Sequence, residues 1–115
     1  MKSLINLLVY TMFLYSCSNV VKQQEHMCNE NMRFKKTFFY NISIVEKYTK
    51  EQKAITVRTV TTKAVTKSFQ YLSKYVTISD EILNFEYGYP SVERFELDKG
   101  RWLKWYETNK CNNLH

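Results

Sequence analysis

The side chains able to do chemistry are few. His26 and Cys28 stand near one end and Cys111 and His115 near the other, giving four possible zinc ligands. Their spacing, H-x-C and C-x3-H, matches no familiar zinc knuckle, so a metal is not expected there. Cys28 and Cys111 could instead pair with each other or remain free thiols. Glu86, Glu93, Glu96 and Asp98 form a carboxylate-rich stretch, and two carboxylates facing each other across a cleft would suit glycoside hydrolysis. No Gly-rich phosphate loop, H-E-x-x-H or G-x-S-x-G occurs. The histidines lie too near the chain ends to act as oriented bases. The sequence specifies no reaction, and no cofactor is expected.

A different chemistry attaches to the first cysteine. Lys2 precedes an apolar run from Leu4 to Leu14, broken only by Asn6 and Thr11. That is the plan of an export signal, and it falls short of the roughly 18–20 apolar residues a bilayer span needs. Leu14, Tyr15, Ser16 and Cys17 follow at once. The arrangement resembles the lipobox of bacterial lipoproteins: a leucine three places before the cysteine and a small residue immediately before it. Tyr15 is bulkier than that pattern usually holds. The resemblance implies cleavage before Cys17, a diacylglyceryl thioether on its sulfur and acylation of the new amino terminus. Several acyl chains hold a protein at a membrane far more firmly than one. The expected organisation is a signal peptide over 1–16, a lipidated N-terminus and tether over 17–32, and a domain over 33–112. The cysteine is followed by Ser18 and Asn19, which carry no acidic retention signal, so the expected position faces the periplasm. In an oxidising envelope, the even pair Cys28 and Cys111 is a candidate disulfide.

The 115 residues allow one domain, and 44% hydrophobic with 16% aromatic content indicates a chain that folds. Two glycines and one proline are too few for a turn-rich all-β fold. Removing Lys2 with the signal leaves 16 basic groups against 11 acidic ones, a formal +5. The charge is segregated: residues 33–76 hold 10 basic and 2 acidic side chains, whereas 80–98 hold 6 acidic and 1 basic. Such segments either steer an anionic partner or headgroup toward one face, or pack together and neutralise. Nothing resembles a nucleic-acid-binding signature, and no nucleic-acid partner is expected.

Periodicity then places the elements. Phe34, Phe38, Ile42, Val45 and Tyr48 recur at three and four residues, which predicts a helix over 33–50 capped by Asn31. A second helix is expected over 62–76, with the Thr- and Val-rich 54–61 left open between helix and strand. Residues 77–97 read as a connection of short pieces whose Tyr87, Tyr89 and Phe95 pack back on the helices. Asn41-Ile42-Ser43 is a glycosylation sequon on paper only. For the end of the chain, Asp98-Lys99-Gly100 suits either a hairpin turn or a helix start. Trp102, Leu103, Trp105 and Tyr106 cluster at helical spacing, so the expectation is a helix capped by Asp98. Tyr87, Tyr89, Phe95 and the D-x3-W-x2-W-Y-x2-N-K run from Asp98 to Lys110 resemble the C-terminal end of a class of short bacterial proteins. The resemblance implies a small helical domain and brings no activity with it.

The expected fold is therefore mainly α, a small domain of about three helices. Trp102, Trp105 and Tyr106 are expected to be core anchors, with an exposed docking patch as the alternative. Two functions from different classes follow. One is a lipid-anchored, non-catalytic interaction or structural module, held to the membrane through Cys17 and meeting an envelope protein. The other is a small envelope enzyme using paired carboxylates on cell-wall glycan.

Overall fold

The computed structural model describes residues 27–54, 57–84 and 88–115, so Cys17, His26, Glu86 and Tyr87 lie outside the described residues. The domain is mainly α. Helix α1 runs Met32–Lys53, α2 Thr62–Leu72, α3 Asp80–Asn84 and α4 Val92–Asn109. Among the described residues there is no strand.

Helix α1 forms where the periodicity places it. The Asn31 side-chain oxygen accepts from the backbone amides of Arg33 and Phe34, each at 3.0 Å, satisfying two of the donors that an N-terminus leaves free. Phe34, Phe38, Ile42, Val45 and Tyr48 are all buried. The two polar side chains on the same face are satisfied locally: Asn41 Nδ2 donates to the Thr37 carbonyl, and Thr49 Oγ1 to that of Val45, both at 2.8 Å. The sequon asparagine is thus buried within a helix.

The open stretch after α1 is a connection rather than an element. Ala54 leaves α1 with extended geometry, and residues 57–61 are non-helical. Glu51 gathers this segment. Its carboxylate accepts from the amides of Thr59 at 2.8 Å and Val60 at 3.0 Å, and from the Thr59 hydroxyl. The Thr59 hydroxyl, then the Val60 amide, hold the Glu51 carboxyl below its ordinary value of 4.5. Thr61 then caps α2 by accepting from the Ala64 amide at 3.1 Å.

Helix α2 ends at Leu72, four residues before the expected 76. The chain beyond it turns through Ser73–Tyr75 and enters the β-branched run Val76-Thr77-Ile78, which crowds a helix at χ1. Val76 and Ile78 turn inward instead and are buried.

Helix α4 corrects the reading of the C-terminal region. It begins at Val92, not at Asp98, and Ser91 is its N-cap, accepting from the Arg94 amide at 3.1 Å. Asp98 lies on its buried face, and Gly100 occupies an exposed interior position. Proline just before a capping serine, with Glu93 in the first turn, is the true start signal.

Helix α1 packs against both α2 and α4. Trp102, Tyr89, Tyr106, Phe38 and Phe95 are the largest side chains fully enclosed between them. Tyr106 stacks on Phe38 with ring centroids 5.6 Å apart, and Tyr89 meets Phe95 edge-on at 5.5 Å. The two ends of the described domain are fastened to this core. Cys28 and Cys111 form a disulfide with Cα atoms 4.9 Å apart, and Asn31 Nδ2 donates to the Leu114 carbonyl at 2.9 Å. The Tyr75 hydroxyl donates to the His115 carbonyl at 2.9 Å, and that of Tyr106 donates to Glu30. The described part of the tether, residues 27–31, is therefore tied to the domain.

Candidate functional site

With α4 starting at Val92, Arg94, Asp98, Arg101 and Trp105 fall at i, i+4, i+7 and i+11, along one side of the helix. Opposite them runs the segment leaving α2, which carries Tyr75, Val76, Thr77 and Ser79. The two walls, with Trp102, enclose a cleft of about 320 Å³.

Asp98 is buried in the floor of this cleft. One of its oxygens accepts from the Tyr89 hydroxyl at 2.8 Å and the other contacts Arg101 Nη1 at 3.4 Å, long for a hydrogen bond. Burial, and then the bond to Asp98, push the Tyr89 hydroxyl above its ordinary value of 10. The Trp102 indole N–H faces the Thr77 carbonyl at 3.5 Å and fixes the floor against the opposite wall. Two groups are uncommitted. The Ser79 hydroxyl is closed off from solvent and has no hydrogen-bond partner among the described residues. Arg94 is exposed and forms no ion pair among them.

The sequence-derived candidates distribute differently. Trp102 and Tyr106 are core residues, each 1% exposed, whereas Trp105 is half-buried at the cleft rim, 5.5 Å from Phe38 and 5.9 Å from Tyr75 between ring centroids. Of the three carboxylates among the described residues, Asp98, Glu93 and Glu96, Asp98 alone lines the cleft. Glu93 and Glu96 are exposed elsewhere on α4. No cluster of three or more His, Cys, Asp or Glu side chains is placed to hold a metal among the described residues. Arg94, Arg101, Ser79 and Tyr75 were not singled out by sequence. A helix start at Asp98 hides the register that puts Arg94 beside Asp98 and Arg101. The Pro90-Ser91 pair is the signal that would have exposed it.

A second feature lies on the opposite side of α1 from its buried face. The outward positions are Met32, Lys36, Tyr40, Ser43 and Lys47, all exposed, with Tyr40 62% and Met32 56% accessible, and Phe39 stands at the edge of this face with its ring 5.1 Å from that of Tyr106. Among the described residues, the segregated charges do not neutralise by pairing. The ion pairs are Lys35–Glu30, Lys50–Glu46, Lys99–Glu46, Arg101–Asp98 and Lys110–Glu107. None joins a cation of 33–76 to a carboxylate of 80–98, and Glu96 reaches Lys50 only as a distant charge. Arg33, Lys36 and Lys53 on α1 are exposed without a carboxylate partner among the described residues, and Lys47, also exposed, forms no ion pair but acts on Glu51 as a nearby charge. Arg58, Lys63, Lys67 and Lys74 beyond α1 are likewise exposed without such a partner.

Comparison of the chain with protein-family models, curated proteins and solved structures finds no match.

Proposed function

We propose that this chain is a lipid-anchored protein of the bacterial cell envelope that acts as a binding module rather than a catalyst. Cys17 carries the lipid, and the outer face of α1 rests on an anionic phospholipid surface. The observation that supports this most directly is the unpaired positive charge of α1, interleaved with Met32, Phe39 and Tyr40. Cations left without internal partners are available to headgroup phosphates, each contributing about 1 kcal/mol near an anionic leaflet. Aromatic and thioether side chains among them suit the boundary between headgroup and acyl chain. The lipobox-like Leu14-Tyr15-Ser16-Cys17 places the anchor on the same end of the chain as α1. The ten Cα–Cα steps from Cys17 to Met27 span at most about 35 Å, which keeps the domain within reach of the bilayer.

The test has two stages. Metabolic labelling with an alkyne fatty acid is expected to mark the wild-type protein and not Cys17→Ala; equal labelling of the two removes the lipid anchor from the proposal. The lipidated protein bearing Ser43→Cys, labelled there with an environment-sensitive dye, is then placed in vesicles containing brominated lipids. Quenching is expected in phosphatidylglycerol vesicles, less in phosphatidylcholine ones, and is lost in the double variant Lys36→Glu/Lys47→Glu. Equal quenching in both lipids, or none in either, refutes the docking of this face.

A further inference from the structure

The outer side of α4, turned away from the core, carries a pattern that a single chain does not use. Glu93, Leu97, Gly100 and Lys104 recur at four, three and four residues and are all exposed, so they form one stripe along the helix. Leu97 is 62% accessible. A methyl group placed on Gly100 meets nothing within 4 Å, and glycine inside a helix is unfavourable relative to alanine, so the fold of one chain gives no reason for it. Glu93 and Lys104 form no ion pair among the described residues, whereas Glu107, the next acid along, is already engaged by Lys110. The stripe is therefore negative at one end and positive at the other. An apolar side chain and a bare length of backbone lie between.

We infer that this stripe is a self-association surface, on which a second copy of the chain lays its own α4 antiparallel about a two-fold axis. A two-fold contact has to be self-complementary, and the order of these four residues makes it so. With the axis crossing α4 midway between Leu97 and Gly100, Leu97 meets the second copy's Gly100 and Glu93 meets its Lys104. Each pair occurs twice. Leu97 fills the space left by the missing side chain, and the charges form an ion pair at either end of the contact. A parallel pairing would instead set glutamate against glutamate and lysine against lysine. Arg94 and Arg101 share one flank of the stripe, where Asp98 offsets part of their charge, and Glu96 stands on the other. One helix face buries little area, so the dimer is weak and reversible. The inference rests on α4 alone and survives failure of the membrane reading.

The chain has three cysteines, two of them joined, so the unlipidated full chain is labelled at Cys17 alone with a donor or an acceptor dye. The two labelled forms are mixed at a constant large excess of detergent micelles over chain, and energy transfer is followed against protein concentration, with sedimentation giving the stoichiometry. The wild type is expected to form dimers reversibly as concentration rises, less readily at high salt. Glu93→Lys and Lys104→Glu each set like charges together at both ends and should each weaken self-association at least about tenfold. An equimolar mixture of the two variants again brings opposite charges together at both ends, and should pair about as well as the wild type. Gly100→Gln fills the seat of Leu97 without changing charge. It should weaken pairing at least about tenfold while leaving the melting midpoint of the dilute, monomeric chain unlowered, a combination that a merely structural glycine would not give. Transfer that does not depend on concentration, charge variants that pair like the wild type, a mixture no better than its components, or a stoichiometry above two overturns the assignment.

Discussion

Asp98 carries a charge on the buried face of a helix, where desolvation opposes it unless hydrogen bonds replace the lost water. Its replacement for water is mostly one bond, the 2.8 Å contact from Tyr89, since the Arg101 approach is long and that guanidinium is largely exposed. Tyr89 is itself 1% exposed, with its ring against Phe95, Phe69 and Trp102. Tyr89→Phe keeps the ring and removes only the donor. It should therefore cost about 1–3 kcal/mol, the penalty for stranding a buried acceptor. For a domain of this size, that lowers the melting temperature by roughly 4–8 °C per kcal/mol. A phenylalanine variant that melts with the wild type would mean that Asp98 is satisfied by something other than Tyr89. Neither partner identifies the other in sequence. A D-x3-W run reads as a cap followed by an aromatic face, and the eight residues between Tyr89 and Asp98 include the true helix start.

Among the elements, α1 was legible and the first turns of α4 were not, and the difference is physical. Helix α1 has unbroken three- and four-residue spacing from Phe34 to Tyr48 and an asparagine cap, so local and tertiary preferences agree. Its observed span exceeds the expected 33–50 by one residue at the start and three at the end. In α4 the residue types Asp-Lys-Gly belong to turns, yet burial of Phe95, Trp102 and Tyr106 on a common face overrides them. The cost of that override is Gly100. A methyl group built there meets nothing within 4 Å, and the residue is exposed in the helix interior. Gly100→Ala should thus stabilise the protein by about 0.5–1 kcal/mol, by removing unfolded-state freedom without a native-state clash. Thermal denaturation measures it; an unchanged or lower midpoint would show that this turn of α4 needs the glycine's flexibility. The cleft was illegible for the same reason. It depends on the α4 register and on the chain turning at Ser73, and neither follows from local spacing.

On the scale of the molecule, the two ends of the described domain are joined where α1 begins and α4 finishes. The disulfide links positions 83 residues apart, and the Asn31–Leu114, Tyr75–His115 and Tyr106–Glu30 contacts gather around the same ends. Those three contacts need ordered termini but do not restrain the unfolded chain. The disulfide does both. Closing a loop of that length removes enough unfolded-state entropy to be worth roughly 4–5 kcal/mol in the chain-entropy limit, and native bridges of small exported domains typically contribute about 2–5. Against a total of about 5–15 kcal/mol for a small domain, its loss is severe. The double variant Cys28→Ser/Cys111→Ser should therefore melt far below the wild type. A reductant should bring the wild type down to the variant's midpoint and leave the variant unchanged. If reduction moves neither midpoint, the hydrogen-bonded ends suffice and the bridge contributes nothing measurable to the folded domain. If it lowers the wild type alone, the domain depends on an oxidising compartment, as an exported protein of the envelope would.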